Sequence, residues 1–322
     1  MRILIFLFVF LFGANASEDI FGRSVDTSDT SKLYFFGPGS LRVATYLGLE
    51  NRLVGIDEFD TKTPHLAPYR QHLVDKNITT NAKIISVGGP GKLPSKEAVM
   101  KSGASLIIMC DYAKDIVEEF AKSIDIPVFA INYTLGVKGN ELLDSAKKSI
   151  TLVSEITNTQ ERAKKLLSFL SEQEKALKEL NAPKSKIYIG GLGYKGAHGI
   201  TSSVNYFPSF ELLGLKNSIA QSVMQNQITI SYEALIKEDP EFIFIDKSGK
   251  KLFDDEKKGH EDVFNELSAF KNGKVFVLEP YNQYATNLEN VYINAWQIAK
   301  ILGVDVDFEA KKSEILKAFF GE

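Results

Sequence analysis

Between Asn140 and Ala182 the chain carries no strand signal, and on both sides of that stretch it alternates short apolar runs with helix-like segments. The runs before it are "KLYFF", "RLVGI", "KIISV", "SLIIMC" and "PVFAI", each closed by Gly, Asp or Asn, which is the pattern of an α/β fold with mainly parallel sheets. Inside the strandless stretch, apolar residues recur at helical spacing in two stripes. One is Leu143, Ala146, Ile150, Val153 and Ile156; the other is Ala163, Leu166, Leu167, Leu170, Leu177 and Leu180. Thr157-Asn158-Thr159 breaks them, with Thr159 as N-cap and Glu161 or Arg162 in the first turn. A second helix from Thr159 to Asn181 would be roughly 35 Å long at about 1.5 Å per residue, enough to cross a domain boundary. Pro183 ends it, and strand signals resume at "KIYIGG", "EFIFID" and "KVFVLE".

The two flanks echo each other. "EAVMKSGASLIIMCD" from Glu97 aligns without a gap with "EALIKEDPEFIFIDK" from Glu233, ending near Asp111 and Asp246. "YLGLENRLVGI" at Tyr46 parallels "LLGLKNSIAQS" at Leu212, and "IPVFAINY" parallels "GKVFVLEPY". Any α/β chain repeats helix-strand units, but three echoes in one order around one long helix favour two related lobes. Two lobes hinged by a stiff element form a cleft.

The amino terminus, "MRILIFLFVFLFGANASEDI", has one early positive charge at Arg2, an apolar run from Ile3 to Phe12, and Ala14-Asn15-Ala16 as a small-x-small cleavage site. It reads as a secretory signal with a mature start at Ser17; a retained anchor is the alternative, though the run is short for a bilayer. No cysteine follows the cleavage site, so nothing there carries a lipid, and a soluble periplasmic protein is expected. Cys110 is the only cysteine, so no internal disulfide is possible, and its place in "SLIIMC" suits a small buried hydrophobe. With 38 Lys and Arg against 41 Asp and Glu, the net charge of -3 gives no basic excess to suggest nucleic acid.

The chain resembles the helical-backbone (class III) periplasmic substrate-binding proteins that deliver iron-siderophores, haem, cobalamin and related ligands to ABC importers. The resemblance rests on "GPGSLRVATYLGLENRLVGIDE", on "SVGGPGKLPSKEAVMKSGASLIIM", on the single long helix, and on "FELLGLKNSIA" with "ISYEALIKEDPEFIFID". It departs at Ala104-Ser105, where the family usually has Pro-Asp; Asp239-Pro240-Glu241 keeps a near version. The resemblance implies two Rossmann-like α/β lobes with mainly parallel sheets, joined by one long backbone helix, with the ligand cleft between them. The corresponding division is a signal peptide at 1–16, an N-terminal lobe at 17–158, the joining helix at 159–182 and a C-terminal lobe at 183–322. It further implies a monomer whose partners are a small-molecule ligand and an inner-membrane permease, with no cofactor. One acid per lobe docks on permease arginines in that family; Glu97 and Glu233 occupy those places here, where each also suits a helix N-terminus.

Ligand contacts are expected at the carboxyl ends of the strands. "YKGAHGITSS" follows "KIYIGG" and offers Tyr194, Lys195 and His198, with Ser202 or Ser203 as caps of a helix near "YFPSF", and Tyr206 as an amphipathic surface. An ordinary Gly-rich loop is the plainer reading. In the first lobe, "GPGSLR" brings Arg42 to the cleft or leaves it as a solvated helix residue. "HLAPYRQH" puts Tyr69 and Arg70 in a Pro-punctuated loop, either to grip an anion or simply on the surface. "GGPG" at Gly88, Asp111-Tyr112, and "YNQY" with Tyr281 and Tyr284 complete the strand ends. Catalysis is not expected. The four histidines have no metal-ligand spacing, "GITSS" lacks a nucleophile elbow, and "GGLGYKG" lacks the ending of a phosphate loop. An iron-siderophore is the leading ligand. A bare oxyanion such as molybdate is the main alternative, and haem would need Tyr194, His198 or Tyr281 as axial ligand.

Overall fold

The computed structural model describes residues 16–85, 91–134, 137, 139–193, 199–219 and 226–321. The signal segment, apart from Ala16, lies outside them. So do Gly88 and the loop residues Tyr194, Lys195 and His198.

The first lobe is built on five parallel strands, Leu33–Phe36, Leu53–Asp57, Lys83–Ile85, Leu106–Cys110 and Val128–Ile131, in the spatial order third, second, first, fourth, fifth. Leu33–Phe36, Leu106–Cys110 and Val128–Ile131 are buried at every position, as strands covered on both faces must be. Alternation along each strand divides its side chains between two cores. Leu33, Phe35, Ile108 and Phe129 face one, and Tyr34, Phe36, Ile107 and Val128 the other.

In the second lobe, Phe242–Asp246 lies between Ile187–Gly190 and Val275–Leu278, all parallel, with a parallel bridge from Ile187 to Asn217 on the outer side. Counted from each lobe's first strand, the order second-first-fourth-fifth is therefore common to both, and the echoing segments occupy corresponding places. The third position differs: Gln227–Thr229 leaves the sheet and pairs antiparallel with Ser202–Val204. A small hairpin joins Ala16–Glu18 to Ser24–Asp26.

The strandless stretch forms two helices, Leu142–Thr157 and Gln160–Glu179, separated by Asn158 in the left-handed conformation at φ 57°. Thr159 holds the N-cap position, but its hydroxyl bonds the Thr157 hydroxyl at 2.9 Å and makes no cap bond. The second helix, 20 residues and about 30 Å long, is tied into the second lobe by Trp296 Nε1, which donates to Gln173 at 2.9 Å, and by Tyr292 Oη, which donates to Glu174 at 2.6 Å. At its other end Arg162 donates to Tyr46 O of the first lobe and to Ala318 O and Phe319 O of the carboxyl-terminal helix Phe308–Phe320. One apolar cluster accordingly runs without interruption from Leu33 and Tyr46 through Leu166 and Leu170 to Ile189 and Trp296. Among the described residues, no helix is long and apolar enough to cross a membrane.

Candidate functional site

The carboxyl ends of the first-lobe strands are covered by a loop from the second. Strand Val275–Leu278 runs into Pro280–Asn287, whose tip sets Tyr284 against the other lobe. Its phenol donates to Asp57 Oδ2 at 2.7 Å, and its ring stacks on Phe59 with centroids 5.1 Å apart. Asp57 ends strand Leu53–Asp57 and also accepts the Phe59 N–H at 3.0 Å. Burial raises the Asp57 carboxyl above its ordinary range, with the N–H and phenol donors opposing the shift. Tyr284 holds φ at 66°, a left-handed conformation that bulky residues seldom adopt, so the surroundings must impose it.

Asp57 and Phe59 hold the Tyr284 side chain, and Arg42 anchors the loop on either side of it. The Arg42 guanidinium lies 4.3 Å above the Tyr69 ring and donates to Asn287 Oδ1 at 2.7 and 3.3 Å and to the Gln283 carbonyl. Asn287 Nδ2 in turn donates to Leu66 O and Pro280 O. Arg42 is 0 % exposed, so it is not a solvated helix residue: it lies where the lobes meet and holds their strand-end loops together. Nearby, Gly37 has φ 92°, and a Cβ there would meet Cys110 O at 2.5 Å. The Gly-Pro-Gly turn is thus required by close packing within its own lobe.

The remaining expected contacts divide. Tyr69 and Arg70 sit in the first turn of helix Pro68–Asp75 and are buried, not in a surface loop. Tyr69 Oη donates to Asp60, and Arg70, 3 % exposed, donates to Tyr69 Oη at 2.8 Å and to Lys62 O at 2.5 Å. Burial pushes the Asp60 carboxyl up to about 6, against the pull of Arg70. Asp111 accepts the N–H groups of Tyr133 and Thr134 at 2.8 and 3.2 Å. Asp246 does the same for Tyr281 N–H at 2.6 Å, and burial pushes its carboxyl up to about 6. In each lobe, then, an acid at the carboxyl end of the fourth strand, Asp111 just past it or Asp246 as its last residue, latches the backbone after the fifth. Tyr112 stacks on Phe36 and donates to Lys92 O. Tyr281 is buried against Phe207, which takes it out of reach as an axial haem ligand in this conformation. Ser202 and Ser203 are strand residues whose hydroxyls donate to Leu192 O and Ile189 O; they cap no helix, and the following helix, Pro208–Glu211, has Phe207 at its N-cap position without a side-chain cap bond. The short polar side chains tie strand Ser202–Val204 to strand Ile187–Gly190 and to the segment just after it. Tyr206 is half-buried against Gly139 of the first lobe, and burial pushes its phenol up to about 12.

Sequence reasoning missed Asp57 and Phe59, although a carboxylate closing an apolar strand, in "LVGIDEF", was the available signal. Glu97 and Glu233 stand on matching helices: Ser95 and Ser231 are the N-caps, accepting from Ala98 N–H and Ala234 N–H. Glu97 is exposed over 76 % of its side chain and pairs with Lys101; Glu233 is exposed, its carboxyl held low by the Ser231 hydroxyl. No group of three His, Cys, Asp or Glu placed to hold a metal occurs among the described residues.

A family model described as "Periplasmic binding protein" matches residues 36–281. No curated protein matches the sequence. Among solved structures, the chain is similar to the molybdate periplasmic binding protein MolA of Haemophilus influenzae bound to molybdate, with TM-score 0.70 and 15% identity over 96% of this chain and 98% of that one. It is similar also to CeuE of Helicobacter pylori with Ni(II) bound, with TM-score 0.67 and 19% identity over 95% and 96%. A third is the periplasmic haem-binding protein HutB of Vibrio cholerae, with TM-score 0.62 and 18% identity over 85% and 100%.

Replacing Arg42 by Met keeps the bulk but leaves the Gln283 carbonyl and Asn287 Oδ1 without their donor. A buried neutral acceptor left without its donor costs about 1–3 kcal/mol, and with two such acceptors chemical denaturation of the ligand-free protein should show a loss of at least that size. A loss below about 1 kcal/mol, in the range of an exposed ion pair, would contradict the role assigned to Arg42.

Proposed function

The chain belongs to the periplasmic binding protein family, and from that footing we propose that it captures a metal chelate, foremost an iron-siderophore, between its lobes and delivers it to the permease of an ABC importer. It acts as a monomer, with residues 17–158 and 183–322 as lobes and 159–182 as the joining helix. The family is one of binding proteins, and no catalytic role is assigned.

The half-buried, stacked pair of Phe59 and Tyr284 carries the chelate reading. The organic shell of a chelate offers apolar faces to such rings, whereas a bare oxyanion offers only charge and acceptor oxygens. Arg42 and Arg70, the arginines expected to clamp an anion, are buried and donate to protein oxygens, although Nη1 of Arg42 has no partner among the described residues. Ligand contact therefore falls to Tyr284, to Tyr206 and to Tyr194, Lys195 and His198. A molybdate-type oxyanion is the second reading, favoured by the likeness to MolA; it would rest on Lys195 and on backbone N–H groups of the glycine-rich loop.

Met1–Ala16 is read as a cleaved signal, after which Ser17 and Glu18 still pair with Val25 and Ser24. Protein recovered from its own periplasm should begin at Ser17 and carry, by native mass spectrometry with elemental analysis, iron together with an organic ligand. Molybdenum or tungsten without an organic mass would replace the chelate by the oxyanion, and membrane-bound material retaining Met1 would remove the signal.

Glu97 and Glu233 are proposed as the permease contacts. Exposed charges of this kind govern encounter and orientation, and paired acids at matching places would report the separation of the lobes. Glu97→Arg with Glu233→Arg should abolish uptake in cells and leave the ligand affinity of the isolated protein unchanged. Normal uptake would reduce both acids to helix-terminal charges, and a parallel loss of affinity would move them into the cleft.

A further inference from the structure

Two bonds of the same kind cross between the lobes in opposite directions. Tyr284, from the second lobe, donates its phenol at 2.7 Å to Asp57, which ends a first-lobe strand. Tyr46, from the first-lobe helix Ser40–Tyr46, donates its phenol to Glu289 in the first turn of the second-lobe helix Leu288–Ile301. Both carboxylates are buried. The ion pairs of the described residues, such as Lys147 with Glu174 and Lys247 with Glu279, involve neither of them. Asp57 has the Phe59 N–H as a further donor, whereas Glu289 Oε1 has no hydrogen-bond partner among the described residues. A carboxylate taken out of water and met mainly by neutral donors is poorly compensated, and binding a proton relieves it. The protonated carboxyl still offers a carbonyl oxygen to the phenol, so each bond outlives the charge.

We propose that these two phenol–carboxylate bonds make the seam between the lobes a proton-linked latch, which takes up protons as it forms and therefore tightens as the pH falls. Arg42, Tyr46, Tyr69 and Tyr133 face Glu289. Tyr34, Glu58, Asp60, Tyr112 and Tyr284 face Asp57. Burial raises both carboxyls above the ordinary range; Arg42 opposes the shift at Glu289, and the Phe59 N–H and the Tyr284 phenol oppose it at Asp57. The stability contributed by a carboxyl raised in this way is complete below the ordinary carboxylate range and is lost as the pH rises through the raised value. A seam closed by ion pairs would respond in the opposite sense, because acid removes their carboxylate charge. Since the ligand is proposed to enter between the lobes, its entry and release slow with the same titration. That consequence rests on the proposed function; the latch itself does not.

The test compares the ligand-free mature protein with the double variant Asp57→Asn and Glu289→Gln, whose amides keep an acceptor oxygen for each phenol and do not titrate. Amide-exchange protection across residues 280–287, corrected for the intrinsic exchange rate, is followed from about pH 8 to about pH 5. In the wild type it should rise as the pH falls. The variant should exceed the wild type by roughly tenfold at about pH 8, and the gap should close towards about pH 5. The midpoint of urea unfolding should show the same closing gap. A gap that does not change with pH would overturn the proposal. So would a variant weaker than the wild type throughout, which would show that Arg42 requires an ionised Glu289. Should the variant not fold, the wild type decides alone: protection across 280–287 that rises towards acid supports the latch, and flat or falling protection overturns it. A failure of the ligand reading leaves all of these measurements standing, because none of them contains a ligand.

Discussion

Arg42 places a full positive charge where water does not reach, and such a charge survives only where acceptors surround it. Its acceptors, Gln283 O and Asn287 Oδ1, lie 241 and 245 residues further along the chain, on a loop of the other lobe. The charge therefore fixes the loop, and the loop fixes Tyr284 in its left-handed conformation over Asp57 and Phe59. The aromatic wall assigned to the ligand depends on a cation that the ligand need not touch. Tyr69 completes the arrangement by stacking under the guanidinium while donating to Asp60.

The likeness of the two lobes extends from strand order to single residues. Ser95 and Ser231 cap matching helices, and Asp111 and Asp246 latch the residues that follow matching strands. These acids are needed because a backbone leaving a strand end exposes N–H groups that require partners. The lobes part company where function is proposed. The second lobe diverts its third strand into an antiparallel pair with Ser202–Val204, next to the glycine-rich loop, while the first lobe keeps its third strand in the sheet.

Most of the architecture was legible in local pattern. The continuous apolar runs marked the parallel strands, and Thr157-Asn158-Thr159 marked the break between the helices because Asn tolerates the left-handed turn there. Cys110 is buried in its strand as its neighbours imply. The site was less legible, for identifiable reasons. Pro68 at the first position of a helix looks the same in sequence as Pro in a loop, so the pattern around Tyr69 and Arg70 suggests a loop, whether gripping an anion or lying on the surface. The partners of Arg42 are too distant for periodicity to reveal. Ser202 and Ser203 pair with a strand that begins only at Gln227, and serine before a helix-like segment suggests a cap just as well.

The central claim is that a metal chelate rests between the lobes, against the aromatic wall that Arg42 holds in place. Anomalous diffraction at the iron edge, from crystals of protein loaded in its own periplasm, tests it most directly. The account predicts one iron peak between the lobes, with density for an organic shell lying against the Phe59 and Tyr284 rings. An iron peak on the outer surface, or an oxyanion in the cleft with both rings uncontacted, would contradict it.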